Sequence, residues 1–498
     1  MAEGCILAID QGTTGTTVLA VGEGGAVRGR GYAEVTQHYP RPGWVEHDPV
    51  QLWDTVLAAS QAALDSARVL PGSVRAVGIT NQRETVVLWD RSSLRPLCNA
   101  IVWQDRRTSA ACDQLRKAGH EAELRRLTGL VIDPYFSATK LRWCLDNVPR
   151  ARAAAAGTVD SWIIANLTGG AHLTDASNAS RTQLLDIGSG TWSSHLAELF
   201  GVPTAVLPEV VASSGVIAET DPGRFLGIRA PIAGVAGDQQ AALFGQACLA
   251  RGMAKNTYGT GSFVLLQAGE KRIESATGML TTIAWLRDGT LNYALEGAIF
   301  VTGATLQWLR DGLGIIASAS EAGPLAESIT GTGGVYLVPA FTGLGAPYWD
   351  PYARGTLVGL TRGSGRAEIV RAAVEAMAYQ TCDVVEAMAT DCGAPFSELR
   401  VDGGASVMNF LCQFQADLLG IPVRRPRTTE TTGLGAAFLA GRGAGVWGSD
   451  ADLAGVWQLD REFLPDISRD EAATLQAGWR RAVERSRGWA PSAPETLG

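Results

Sequence analysis

Three observations predict an α/β fold in two halves with a ligand cleft between them. A Gly/Thr hairpin stands near the start of the chain and a second just past its middle. Each opens a run of apolar strands followed by amphipathic helices. A polar elbow, Asn81–Gln82–Arg83–Glu84, ends a strongly apolar strand, the place where open α/β sheets take their ligands.

The first half begins with strands Cys5–Asp10, Thr16–Val21 and Ala26–Val35, separated by Gly-rich turns. A tip as short as Gln11–Thr14 ordinarily makes a surface hairpin. Here glycine and hydroxyl residues let several N–H groups and Thr side chains converge on one anion. A helix is predicted over Pro49–Val69, with Val50, Trp53, Leu57 and Ala58 on one face. Strands Val74–Thr80 and Thr85–Asp90 flank the elbow, and helix Gln239–Cys248 closes the half. The crossing falls near Ala247–Gly252, dividing the chain into 1–247 and 248–498.

Ala254–Tyr258, Gly259–Ser262 and Phe263–Leu266 repeat the hairpin. Strands Gly278–Trp285 and Leu291–Leu295 follow, then helices Ala298–Asp311 and Arg371–Met388. Strand Leu399–Val401 opens into Asp402–Gly403–Gly404–Ala405, helix Leu434–Ala440 closes the core, and Gly488–Gly498 reads as a frayed tail. The halves share topology and hairpin chemistry, with little residue-level identity. Two such tips, one per half, would grip the phosphates of a single nucleotide from both sides.

A chain of 498 residues has room for two or three cores. Hydrophobic content of 46% and charged content of 18% describe a globular protein. A net charge of −8 argues against nucleic acid or an anionic membrane as the main partner. The eight cysteines are scattered, with no CxxC and no His at metal spacing, and read as reduced cytosolic thiols. Met1–Gly4 leads straight into a strand, so no signal peptide is expected, and no apolar stretch reaches the ~20 residues of a membrane span.

Asp10, at a strand end beside Gly12–Thr13–Thr14, can hold Mg²⁺ while the turn binds phosphate; Asp and Gly also simply make turns. Asp238 ends a strand and starts a helix, which suits either a cap or the acceptor of a hydroxyl proton. Arg83 and Glu84 suit a polyhydric substrate, Arg donating and Glu accepting, or form an ordinary surface pair. Trp103 and Tyr135 serve as core or as binding wall. There is no GxxxxGK[ST], none of the four lysines lies in a phosphate loop, and no HRD or DFG set occurs. Tyr258–Gly–Thr–Gly–Ser262 runs into a strand, unlike a Rossmann turn.

From about Ile6 to Trp489 the chain closely resembles the glycerol-phosphorylating members of the FGGY carbohydrate kinases, within the actin/hexokinase/Hsp70 superfamily. The resemblance rests on DQGTT (10–14), PGWVEHDP (42–49), GITNQRET (78–85), AIVWQ (100–104), TGLVIDPYFS (128–137), NASRT (178–182), AGDQQAALFGQ (236–246), KNTYGTG (255–261), YALEGA (293–298) and VPAFTGLGAPYWDPYARG (338–355). It implies two ribonuclease H-like, actin-like ATPase domains with an interdomain cleft. It also implies ATP-dependent, Mg²⁺-assisted phosphorylation of glycerol to sn-glycerol 3-phosphate in glycerol catabolism. By position, Arg83, Glu84, Tyr135, Asp238 and Gln239 would hold glycerol, with Trp103 and Phe263 walling its carbons. Asp238 would be the general base and, with Asp10, would help place the metal. Thr13, Thr14, Gly15, Thr260, Gly303, Gln307 and Gly404 would line the nucleotide site.

Four positions depart from that pattern. Thr17 stands where many members carry an arginine that reaches the nucleotide phosphates, and Met408 replaces an asparagine in the adenosine loop. Ser262 replaces a cysteine, and Cys144 a larger aliphatic residue. No histidine follows His195, and Asp221–Ala230 holds Arg224 and Arg229 without a basic glycine loop, so neither mode of control known in some relatives is expected. The resemblance further implies a cytoplasmic homodimer or homotetramer acting on a small molecule, with no nucleic-acid partner and no membrane insertion. The alternatives are a kinase for another polyol or sugar, a nucleotide switch, and a kinase-dead nucleotide sensor.

Overall fold

Apolar residues on both faces of β1 (Cys5–Gln11) make it a central strand, buried along nearly its whole length. It turns at Gly12–Thr14, where the Gly12 N–H donates to the Gly15 carbonyl at 2.9 Å. It returns as β2 (Gly15–Gly22) in antiparallel register, Asp10 opposite Thr17, and β3 (Val27–Glu34) adds to β2. The computed structural model describes residues 4–490, so the expectations for Met1–Glu3 and for 491–498 lie outside the described residues.

Helix α1 (Pro49–Ala67) starts with proline at its first turn and with the Asp48 side chain accepting from the Val50 N–H at 2.8 Å. Its buried face is Leu52, Val56, Ala59 and Ala63. The predicted stripe of Val50, Trp53, Leu57 and Ala58 is half-buried or exposed. The glycines of β3 explain the shift, since a Cβ on Gly31 would lie 2.0 Å from the Ala59 carbonyl. The helix lies backbone against strand at Ala59 and Ala63, opposite Gly29 and Gly31, and Leu52 and Val56 extend the same buried face.

Strand β4 (Val74–Asn81) adds parallel to β1; after β5 (Ser214–Glu219), β6 (Pro231–Gly237) adds parallel to β4, and α2 (Asp238–Gly245) follows at once. The second half repeats this plan. β7 (Ala254–Tyr258) and β8 (Ser262–Gly269) form the second hairpin, and β9 (Leu280–Arg287) and β10 (Thr290–Ile299) extend it. After the long α3 (Arg366–Cys392), β11 (Leu399–Asp402) pairs parallel to β7. Helix α4 (Asn409–Leu419), β12 (Val423–Pro426), α5 (Thr431–Gly443), the edge strand β13 (Leu459–Phe463) and a further helix, Arg469–Ser486, complete the half, so the helix expected at Leu434–Ala440 is not the last.

The predicted helix Ala298–Asp311 is displaced. β10 runs to Ile299, and helix resumes only at Gly303–Gln307, ending in a π-turn over Trp308–Gly312. The reason is a close approach: a Cβ on Gly303 would lie 2.6 Å from the Gly259 carbonyl, so this segment is fitted to the hairpin tip.

All thirteen labelled strands join one sheet, in the order β13-β12-β11-β7-β8-β10-β9-β5-β6-β4-β1-β2-β3. Each half contains the same five-strand unit, an antiparallel meander extended by two parallel strands. The halves meet where Ser214 of β5 pairs with Arg287 of β9. Helix α5 packs on β1, β4 and β6 of the first half and crosses α2. At that crossing a Cβ on Gly435 would lie 1.8 Å from the Ala241 carbonyl, so the helix backbones are in contact. All eight cysteines are free, six of them buried. Among the described residues no helix is long and apolar enough to cross a membrane.

Candidate active site

The elbow after β4 is fastened to the first hairpin by Gln82. Its backbone N–H donates to the Gln11 carbonyl at 2.8 Å, and its side-chain amide donates to the Gly12 carbonyl at 3.2 Å. Asn81 exchanges amide hydrogen bonds with Asn178 at 3.0 and 3.1 Å. So braced, the chain passes through Glu84 at φ +63°, a left-handed backbone that costs a non-glycine residue energy and recurs at functional sites.

That conformation sits within a buried ionic network. Arg83 donates to both oxygens of Glu296, at 2.5 and 3.2 Å, while its Nε lies 3.0 Å from Asp238. Arg181 donates to Glu84 at 2.7 Å and to Glu296 at 2.9 Å. Burial raises the Glu296 carboxyl, but Arg181 and Arg83 outweigh it and hold the group down at about 2. Burial pushes both the Glu84 carboxyl and the Tyr135 hydroxyl up. Glu84 and Glu296 are almost wholly buried, whereas Asp238 is 32% exposed and so opens to the cleft.

Asp238 is the first residue of α2, and the cap position belongs to Gly237. Its Oδ1 accepts from the Gln239 N–H at 2.7 Å and faces Arg83, an arrangement compatible with proton acceptance. The Gly237 N–H donates to Ser177 at 2.9 Å, and Ser177 is held by Asp175. Beyond Asp238, Gln239 accepts a short hydrogen bond from the ammonium of Lys255, which also reaches Thr257 at 2.9 Å. Burial lowers Lys255 to about 8, against the pull of Asp402 and Asp238.

Trp103 donates from Nε1 to the Thr13 hydroxyl at 2.9 Å and meets Tyr135 edge-on at 5.6 Å. The Phe263 ring, just past the second tip, lies 5.8 Å from the Arg83 guanidinium. The two aromatic walls thus come from opposite halves, with the elbow between them. Burial, then Asp238, then Glu430 push the Asp10 carboxyl up to about 8, with Arg30 opposing.

The second hairpin is tied to the residues matched to the nucleotide. The Gly303 N–H donates to the Gly259 carbonyl and the Ala304 N–H to the Thr260 carbonyl, both at 3.0 Å. A Cβ on Gly403, the neighbour of Gly404, would lie 2.5 Å from the Tyr258 carbonyl. Thr14, Thr260, Gln307 and Gly404 are exposed, Gly15 and Thr17 are buried in β2, and Met408 precedes α4. Arg181, Glu296 and Lys255 were not among the candidates, although each lies inside a matched motif. For Glu296 the available signal was a lone charge within the otherwise apolar Tyr293–Ile299; Arg181 and Lys255 sit in polar stretches and give no such signal.

The chain matches the N-terminal domain model of the FGGY family of carbohydrate kinases over 5–245 and the C-terminal model over 254–444. This chain belongs to the FGGY carbohydrate kinases. A glycerol kinase of Dechloromonas aromatica is 56% identical over 97% of this chain and 98% of its own length. Glycerol kinase 2 of Thermotoga maritima is 53% identical over 97% and 99%. Among solved structures, Plasmodium falciparum glycerol kinase with ADP superposes with a TM-score of 0.92 at 34% identity, covering 97% of this chain and 98% of that one. A gluconate kinase of Lactobacillus acidophilus, at 22% identity and TM-score 0.86, shares the FGGY fold.

An FGGY kinase implies a divalent cation with its nucleotide. Among the described residues no cluster of three or more His, Cys, Asp or Glu forms a metal cage. Asp10 near the end of β1 and Asp238 at the head of α2 fit Mg²⁺, which typically takes one or two carboxylates and completes its shell with water and substrate phosphate.

Proposed function

We propose that this FGGY kinase transfers the terminal phosphoryl group of ATP to a terminal hydroxyl of glycerol, yielding sn-glycerol 3-phosphate. The observation that supports the reading is Asp238, 32% exposed beside the guanidinium of Arg83, while Arg83 and the other charges of the network are buried. Relatives that bear the name glycerol kinase, over half identical along nearly the full chain, support the choice of substrate.

In this reading Arg83 and Glu84 hold two glycerol hydroxyls, Tyr135 and Gln239 add further contacts, and Trp103 and Phe263 cover the carbons. Asp238 takes the proton of the terminal hydroxyl as its oxygen bonds to the γ-phosphorus. The bond to the bridging oxygen then breaks and ADP leaves. N–H groups and hydroxyls of Thr13, Thr14, Gly15 and Thr260 stabilise charge on the phosphates. Asp10 and Asp238 would hold Mg²⁺, which neutralises that charge when bound. Gly303, Gln307, Gly404 and Met408 border the rest of the nucleotide, and 1–247 and 248–498 act as two lobes. The chain acts in the cytoplasm as a homodimer or homotetramer, a state that light scattering would read.

A hydroxyl missing from the substrate leaves buried groups unpaired, at a cost of about 1–3 kcal/mol. The test is ADP release with glycerol, dihydroxyacetone, erythritol or water as acceptor. Glycerol should give the highest kcat/KM. Preference for erythritol, or release indifferent to the acceptor, would overturn the reading.

A further inference from the structure

An FGGY kinase must balance the charge of a triphosphate, yet the cations of the central network are already engaged. Arg83 and Arg181 share Glu296, Asp238 and Glu84, and Lys255 is held by Gln239 and Thr257. The first hairpin adds an acid, Asp10, and at Thr17 a neutral residue where the resemblance places an arginine in many members.

The register of the first sheet brings another cation to this mouth. Residues directly opposite in an antiparallel pair share a face. Asp10 lies opposite Thr17 and Thr17 opposite Tyr32; one step along the same face, Leu19 lies opposite Arg30. This face meets α5, since a Cβ on Gly433 would touch Leu19 at 2.8 Å, while Gly29 and Gly31 on the other face meet α1. The Tyr32 hydroxyl donates to the Thr14 carbonyl at 3.4 Å, and its ring fills the space where Gly15 has no side chain. The Arg30 guanidinium lies 5.7 Å from the centre of that ring. Arg30 therefore borders the hairpin tip.

Its partner is easily exchanged. Arg30 Nε donates to Glu430, the residue before α5, at 3.0 Å, and the two side chains are 48% and 41% exposed. Such a pair is worth about 0–1 kcal/mol, whereas a guanidinium–phosphate contact is charge-assisted and often bidentate. We propose that Arg30 leaves Glu430 to pair with the terminal phosphates of the bound nucleotide, serving from β3 the role that position 17 on β2 lacks here.

The proposal rests on the ATP-dependent reading above, and its test separates the two. Calorimetric titration with ATP and with AMP, without acceptor, is compared for the wild type, Arg30→Gln, Arg30→Lys and the double variant Arg30→Gln/Thr17→Arg. Arg30→Gln should weaken ATP about tenfold, the loss of one charged hydrogen bond, and leave AMP within about twofold. Arg30→Lys should fall between, and Thr17→Arg should restore most of the loss. ATP bound by Arg30→Gln as by the wild type, or equal losses for ATP and AMP, would overturn the assignment. A wild type that prefers ATP to AMP but ignores glycerol would sink only the substrate reading; one that binds them alike would sink both.

Discussion

Glu296 holds together the charges on which Asp238 depends. Two guanidiniums share its carboxylate, fixing Arg83 against Asp238 and Arg181 against Glu84. Removing one partner of a buried pair leaves its charge uncompensated, typically at 3–5 kcal/mol. Glu296→Ala should therefore lower unfolding free energy by about that amount in urea titrations. Loss below ~1 kcal/mol would mean that the arginines find other partners. At Asp238 the effect should be on rate. Asp238→Asn keeps the shape and removes the base, so kcat should drop about 10²–10⁴-fold, while near wild-type activity would remove it as proton acceptor. Asp10 makes a pH prediction. Its carboxyl stands at about 8 through burial, Asp238 and Glu430, whereas an unfolded Asp titrates near ~3.9. The ligand-free fold thus keeps a proton that the unfolded chain releases, and the penalty on folding grows as pH rises between those values. Asp10→Asn should melt progressively higher than the wild type as pH goes from 5 to 8 in chelator; a constant gap would contradict the assignment. DQGTT, the elbow and Asp238 were legible because glycines, hydroxyls and charges at strand ends are unusual. The pairing of Glu296 with Arg83 was not, because partners 213 residues apart leave no local pattern.

At the scale of elements, the crossing of α2 and α5 positions Asp238. Helix α5 lies on the strands of the first half, and its Gly435 meets the Ala241 carbonyl of α2 where a Cβ would stand at 1.8 Å. No flexible side chain can yield there, so Gly435→Ala must push the helices apart. Overpacking of this kind costs about 1–3 kcal/mol. The melting temperature should fall, and kcat with it, because Asp238 heads the displaced helix. An unchanged melting temperature and kcat would show that the crossing relaxes without moving the site. Both hairpins and helix α5 were legible from turn chemistry and apolar runs, but α5 is not the final helix, since Arg469–Ser486 follows and buries Trp479, Ala482 and Val483. The stripe on α1 was misplaced because small residues follow the glycines of β3, and no feature of α1 itself records those glycines. Helix was expected too early at Ala298 because Ala–Ile–Phe–Val suits helix and strand alike, and pairing with β8 decides for strand.

For the whole molecule, the sheet runs through both halves, and a series of ties joins them. β5 meets β9 at Ser214 and Arg287, α2 crosses α5, and Glu296 on β10 binds arginines of the first half. Asp402 adds another tie, accepting from Gln246 just past α2 at 2.6 Å and from Thr431 at the start of α5 at 2.8 Å, and Ser180 meets Thr282 at 2.8 Å. The matching five-strand units could be anticipated from the repeated hairpins. The exchange of α5 onto the first half could not, because helix and strands lie far apart in the chain. A cleft bounded by two such lobes has a chemical need to close, since water competes with glycerol for the γ-phosphate. The Arg83 guanidinium lies 5.8 Å from the Phe263 ring of the other half, and the exposed tips at Thr14 and Thr260 belong to opposite halves. In the proposed assignment glycerol recruits the elbow and Phe263 and the nucleotide recruits both tips, so the two ligands together should draw the lobes in further than either alone. Small-angle scattering with glycerol, with a non-hydrolysable ATP analogue and with both should show the smallest radius of gyration in the ternary complex. ATP hydrolysis without glycerol should correspondingly be far slower than phosphoryl transfer. A radius unchanged by both ligands would mean that water is excluded within a preformed cleft, and that the joints at β5–β9 and α2–α5 are rigid.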